Sequence, residues 1–167
     1  MSSSGVPEVE SDVLRSYQLT DQIGHLMRRA VQRHTAIFAN KMGADLTPTR
    51  FAALVMLFER GDLSQNELGR LTAMDIATIK GVVDRLLAKG LVTNRVDPND
   101  GRRKIISLTQ AGFQRLAEAI PKGIEITTET LEPLGRKEKN LLLKLMRKIS
   151  YYHYLNGMNF LVSLAIY

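Results

Sequence analysis

Cysteine is absent from the 167 residues, which excludes disulfides, thiolate metal sites, thiol nucleophiles and cysteine redox sensing together. Histidine is scarce: His25, His34 and His153 stand alone, without the close HxxxH spacing a metal site favours. No apolar run approaches the ~18 residues needed to span a bilayer. The opening Met1-Ser-Ser-Ser-Gly-Val-Pro lacks the basic and apolar regions of a signal peptide. Gly-rich phosphate loops, Ser-His-Asp arrangements and convincingly paired carboxylates are missing too. The expected class is therefore a cytoplasmic protein that is no enzyme, with no cofactor, no metal and no membrane partner. Apolar residues at 44% exclude wholesale disorder, and the length suits one domain or one domain with a dimerising extension.

What the chain does have is positive charge. Lys and Arg number 23 against 17 Asp and Glu, a net +6. The surplus is concentrated. Lys80, Arg85, Lys89, Arg95, Arg102, Arg103 and Lys104 face only Asp84, Asp97 and Asp100 in the same stretch. Such a run can be a solvated surface with no role, or the footprint of an anionic partner.

The pattern around it favours the second reading. Residues 1–12 read as a disordered lead-in. One long helix is expected from about Val13 to Met42, with Leu19, Ile23, Leu26, Ala30 and Ile37 at helical spacing and Gly43 as its stop. Thr47-Pro48 supplies an N-cap followed by proline at the first helical position, and Phe51, Leu54, Val55 and Phe58 mark an apolar face closed by Gly61. Ser64 to Glu67 is a capping box, opening a short helix with Leu68 and Leu71 inward. A tight connection, Thr72 to Asp75, leads to a second helix ending at Gly90, whose buried stripe is expected to be Ile76, Ile79, Val83, Leu86 and Leu87. The pair is a helix-turn-helix candidate. Two β-prone runs, Leu91–Val96 and Lys104–Leu108, flank the turn cluster Asp97-Pro98-Asn99-Asp100-Gly101 and predict a hairpin wing. A further helix starts near Thr109 and runs toward Leu131, where Pro121 is expected to kink or split it. The last helix is expected from Arg136 to about Tyr154, followed by an apolar tail, Leu155 to Tyr167.

In a helix-turn-helix the second helix enters the major groove with its N-terminal residues nearest the bases. Its outward residues include Ala77 and Thr78, suited to thymine methyls, and Lys80, suited to a base edge or a phosphate. Gly81 costs ~1 kcal/mol in a helix interior, which implies close approach to something, DNA being one choice. Arg85 serves either DNA or an intramolecular acid. Arg102 at the wing suits a narrow A·T-rich minor groove, with Arg103 and Lys104 on phosphates. Asp97 and Asp100 would orient the Arg102 guanidinium, or simply cap the turn. Ser64 and Gln65 could hold a phosphate.

These residues, in this order, are familiar. Leu46-Thr47-Pro48, Ser64-Gln65-Asn66-Glu67-Leu68, Val82-Val83-Asp84-Arg85-Leu86, Gly90-Leu91-Val92 and Asp97-Pro98-Asn99-Asp100-Gly101-Arg102 followed by Leu108-Thr109 resemble the MarR family over roughly residues 13–150. The resemblance implies a mainly α fold with a small β-wing: a winged helix-turn-helix with long dimerisation helices at both ends. On it, residues 1–12 are a lead-in, 13–45 the first dimerisation helix, 46–110 the DNA-binding lobe, and 111–167 the C-terminal dimerisation helices with the tail. It also implies a homodimer on a pseudo-palindromic double-stranded DNA operator and a small aromatic acid as effector. Gly81 departs from the arginine that many members carry there, and the tail after Leu155 extends past the usual end. The stretch Thr72 to Gly81 resembles the branch that represses nicotinate degradation, whose ligand is 6-hydroxynicotinic acid. Without cysteine, a reversible ligand rather than thiol oxidation is the expected input.

An aromatic carboxylate needs apolar walls, a cation and a hydrogen-bond partner. His25 and Arg29 lie i, i+4 near Tyr17 in sequence, and Phe51 and Met74 could be walls. Each also has a plain structural reading: core for Phe51 and Met74, solvated surface for Arg29. Two rivals remain at this level: a winged-helix protein-interaction module, and an architectural DNA binder that takes no ligand.

Overall fold

The computed structural model describes residues 14–98 and 100–151. The lead-in at 1–12, His153, the expected end of the last helix near Tyr154, the tail from Leu155 and the side chain of Arg102 lie outside the described residues.

The expected single helix from Val13 is instead interrupted. Leu19–Asp21 is a short 3-10 turn between Gln18 and Gln22, both extended, and helix α1 begins only at Ile23 and runs to Met42. Thr20 and Asp21 compete for their own backbone and are poor helix-interior residues. Leu19, Ile23 and Leu26 stay exposed, whereas Ile37, Phe38 and Met42 at the other end of α1 enter the core.

Helix α2, Pro48–Arg60, starts as the sequence requires: Thr47 Oγ1 accepts the Arg50 N–H. Its buried residues are Ala53, Leu54 and Leu57. Phe58 is not on that face; it is exposed and tilts against Phe113 at 5.8 Å. A two-residue strand β1, Leu63–Ser64, precedes helix α3, Gln65–Leu71, and helix α4 spans Ile76–Ala88. Strands β2, Val92–Asp97, and β3, Asp100–Leu108, form the wing. The antiparallel sheet has the order β1-β3-β2, with Leu63 opposite Ile106 and Val92 opposite Leu108. Leu63, Val92 and Ile106 point from it into the core with Leu46, Leu68, Ile79, Val83 and Leu86. Since β3 begins at Asp100, the wing cations stand on the strand beside the turn.

Helix α5, Gln110–Thr130, passes through Pro121 without a break. Proline deprives the Ala117 carbonyl of its donor, but Ala117 and Pro121 are both exposed, so water can take that bond and the helix survives. The described residues divide into two compact units, one ending at Ile126 and one beginning at Thr127. The second contains helix α6, Arg136–Ser150, opened by the Glu138 carboxylate accepting the Gly135 N–H at 2.7 Å. Helix α6 has no buried residue. Leu142, Leu145, Met146 and Ile149 lie at i, i+3, i+4 and i+7 along it, all exposed.

Candidate nucleic-acid interface

Two caps set the recognition elements. Ser64 Oγ accepts the Glu67 N–H at 3.3 Å to start α3, and Asp75 Oδ1 accepts the Thr78 N–H at 2.6 Å to start α4. That bond holds the Asp75 carboxyl below its ordinary value. Between the helices Ala73 takes a positive φ of 53°, and the Met74 N–H reaches back to the Gly69 carbonyl at 2.9 Å. A side chain at Gly69 would press on Ile79 and the Met74 carbonyl, so this glycine allows the two helices their close crossing.

Helix α4 buries Ile79, Val82, Val83 and Leu86. Ile76, expected in this stripe, is 69% exposed, and Val82 takes the buried place. At the first helical position Ile76 stands before the turn that packs on α3, so the core does not reach it. Ala77, Thr78, Lys80, Asp84 and Arg85 are exposed as expected. Gly81 meets nothing but the Arg85 guanidinium, whose Nη1 lies 3.5 Å from the Gly81 carbonyl. Among the described residues, no close packing explains this glycine.

A concave surface of about 660 Å³ opens between α3, α4 and the wing. Ser64, Gln65, Lys80, Arg103 and Lys104, each singled out from sequence, line it together. Asn66, Glu67, Arg70 and Asp84 complete the lining. Asn66 and Arg70 join the surface without a sequence motif of their own to announce them, although Arg70 is the cation in the last turn of the seven-residue α3. The Glu67 carboxylate lies 3.9 Å from Arg70, and Asp97 lies 4.0 Å from Arg103, holding that guanidinium beside the wing turn. Ser64 is buried at 6% exposure and its oxygen serves the cap.

Not every cation in the basic stretch serves this surface. Lys89 pairs with Asp45 at 2.6 Å, depressing that carboxyl, and Arg95 pairs with Asp62 at 3.2 Å. Both partners lie outside the basic stretch in sequence, so counting charge along it overstates what is free to meet a partner. The cations that line the concave surface are Arg70, Lys80, Arg103 and Lys104, with Arg70 beside Glu67 and Arg103 beside Asp97.

The candidate effector residues are distributed over several elements. His25 is half-buried and Arg29 exposed, one turn apart on α1. Tyr17 is exposed ahead of the 3-10 turn. Phe51 is half-buried on α2, edge-on to Phe38 at 5.9 Å and beneath Gly123, where a Cβ would press on the ring. Met74 packs against the core from the helix-turn-helix connection.

Comparison with known proteins fits this geometry. Residues 46–104 match the model of the MarR family. The transcriptional repressor NicR of Pseudomonas putida is 42% identical over 134 residues, covering 80% of this chain and 85% of that protein. A crystal structure of a probable transcriptional regulator from Pseudomonas aeruginosa is 50% identical, with a TM-score of 0.76, covering 79% of this chain and 99% of that one. BpsR of Bordetella bronchiseptica, whose DNA binding is regulated by 6-hydroxynicotinic acid, is 37% identical with a TM-score of 0.77, covering 80% and 96% of the two chains.

Proposed function

The chain belongs to the MarR family of transcriptional regulators, and from that membership we propose that it is a homodimeric repressor released from its operator by a small aromatic acid. The observation that carries the reading is the single concave surface shared by Lys80 of α4 and by Arg103 and Lys104 of the wing. A helix and a hairpin flanking one basic concavity fit a duplex, with α4 in the major groove and the wing along the backbone. Lys80, Ala77, Thr78 and Gly81 address base edges. Arg70, Arg103 and Lys104 neutralise phosphates, Gln65 donates a hydrogen bond to one, and the minor groove is assigned to Arg102 from its sequence position. Asp97 holds Arg103 in pose, with Asp100 across the turn.

Two apolar surfaces support the homodimer. Leu19, Ile23, Leu26 and Val31 are exposed near the start of the chain, and α6 exposes its own apolar stripe. A fifteen-residue helix with no buried residue is marginal in water by itself, and an apolar stripe of this size calls for a partner. A second copy supplies the matching stripe and sets two reading heads at a fixed spacing, as a pseudo-palindrome requires. On this reading residues 46–110 are the DNA-binding lobe, and the two ends of the chain assemble the dimer.

The effector proposed is 6-hydroxynicotinic acid. Its support is the resemblance to NicR and to BpsR, which that compound regulates. His25 and Arg29 would take the carboxylate and Phe51 the ring, with Tyr17 and Met74 bordering. To release DNA, the acid must bind a dimer state with an incompatible head spacing more tightly than the operator-bound state. A thermal-shift screen of aromatic acids tests this. We expect 6-hydroxynicotinic acid to raise Tm in proportion to the logarithm of its concentration. No shift with any aromatic acid would instead favour a DNA binder without a ligand.

A further inference from the structure

We propose that Ile76 reads sequence, packing on the 5-methyl group of a thymine in the major groove and making the chain select thymine at one step of each half-site. This rests on the DNA-binding reading above and adds a contact that helical periodicity assigns to the core.

Ile76 is the first residue of α4 and is 69% exposed. A lone exposed isoleucine needs no explanation on most surfaces. Here the position is particular. The first turn of a recognition helix penetrates deepest, and Cα–Cβ bonds tilt toward the helix N-terminus, so this side chain leads toward the groove floor. Its i+4 neighbour is Lys80, one of the cations lining the concave surface. An apolar probe beside a cation matches the thymine edge, which presents a methyl group amid acceptors and phosphates.

The cap of the same helix argues in the same direction. Asp75 places a carboxylate on the first turn and occupies the Thr78 N–H. A negative charge there repels phosphate, so this helix end does not grip the DNA backbone through its own N–H groups. What it offers instead is side-chain contact with bases, and its apolar members are Ile76 and Ala77. Ile76 also contributes little to the helix itself, because isoleucine ranks well below alanine in propensity and here gains no burial.

The test begins by selecting a tight site from a randomised duplex pool with the full chain. Each thymine of that site is then replaced singly by deoxyuridine, which lacks only the 5-methyl group, and Kd is measured by fluorescence anisotropy. At one thymine per half-site, uracil should weaken wild-type binding about four-fold, equivalent to ~0.8 kcal/mol for one buried methyl-sized group. At that position Ile76→Ala should lose the sensitivity and Ile76→Val retain part of it, while elsewhere both variants respond as the wild type does. Thermal melts establish that the variants are folded, and Ile76→Val carries the comparison if Ile76→Ala is not. If the folded variants are as sensitive as the wild type at every thymine, the proposal is overturned. Absence of salt-dependent duplex binding by the wild type would overturn the DNA-binding reading itself.

Discussion

Gly112 lies so close to the carbonyl of Leu91 that a Cβ at this position would fall inside the oxygen's van der Waals envelope. Thr109 closes the same junction: its N–H reaches Leu91 O at 3.2 Å, its hydroxyl donates to Gly90 O at 2.7 Å, and its Oγ1 accepts the Gly112 N–H at 3.0 Å. The root of β2, the end of β3 and the start of α5 are thereby clasped within one turn. Gly112→Ala forces backbone from backbone, and an overpacking cost of about 1–3 kcal/mol is expected. A denaturant melt should show the loss, with Gly81→Ala as a contrasting control that gains up to about 1 kcal/mol, because that Cβ meets only the Arg85 guanidinium at ordinary contact distance. Equal midpoints for Gly112→Ala and the wild type would contradict the clasp.

Asp75 gives a pH-dependent signature. Its carboxyl is depressed chiefly by the Thr78 N–H bond, so its contribution is present above the ordinary value of 3.8 and is lost as pH falls through the lower folded value. The Thr78 amide resonance should therefore be flat between pH 7 and 5 and move below pH 4. Asp75→Asn keeps a capping oxygen and abolishes the movement; Asp75→Ala lowers Tm. A Thr78 shift that titrates unchanged in Asp75→Asn would refute the assignment.

Position separates two kinds of cation: Lys80 and Arg103 line the concave surface, whereas Lys89 and Arg95 do not and are paired elsewhere. Lys80→Ala and Arg103→Ala should each weaken duplex binding and reduce the slope of log K against log salt by about one. Lys89→Ala and Arg95→Ala remove cations already paired with Asp45 and Asp62, and should leave the slope unchanged. Binding isotherms at several salt concentrations decide this. Equal slopes for all four variants would sink the assigned contacts.

Self-association should depend on the exposed stripe of α6. Leu145→Glu places a charge among Leu142, Met146 and Ile149 and should weaken dimerisation about ten-fold or more. Sedimentation velocity would show a shift toward monomer, with operator affinity falling alongside. A variant that stays dimeric would remove α6 from the interface.

Much of the lobe was legible because its signals are local. Thr47-Pro48, Ser64 with Glu67, and the Asp97–Gly101 turn cluster announce their helix starts and hairpin from adjacent residues, and the structure realises each. What was hidden depends on distant chain. Nothing near Leu63 predicts its pairing with Ile106, and nothing in the basic stretch predicts that Asp45 and Asp62 neutralise Lys89 and Arg95. Ile76 and Phe58 have core chemistry and near-core spacing, yet each stands just past the last layer that could cover it. Pro121 misleads for the opposite reason: its local cost is real, but solvent at Ala117 relieves it. The candidate site followed the same rule. Lys80, Arg103 and Lys104 could be assembled from the motif, whereas the residues proposed for the effector, scattered over Tyr17, α1, α2 and the Met74 connection, share no local pattern.

The central claim is a homodimer that holds duplex DNA until an aromatic acid releases it. Sedimentation of the full chain with a labelled selected duplex, with and without 6-hydroxynicotinic acid, tests this most directly. The account expects two copies of the chain on each duplex without the acid, and free duplex beside free dimer with it. A complex that persists at saturating acid, or one copy of the chain per duplex, would contradict it.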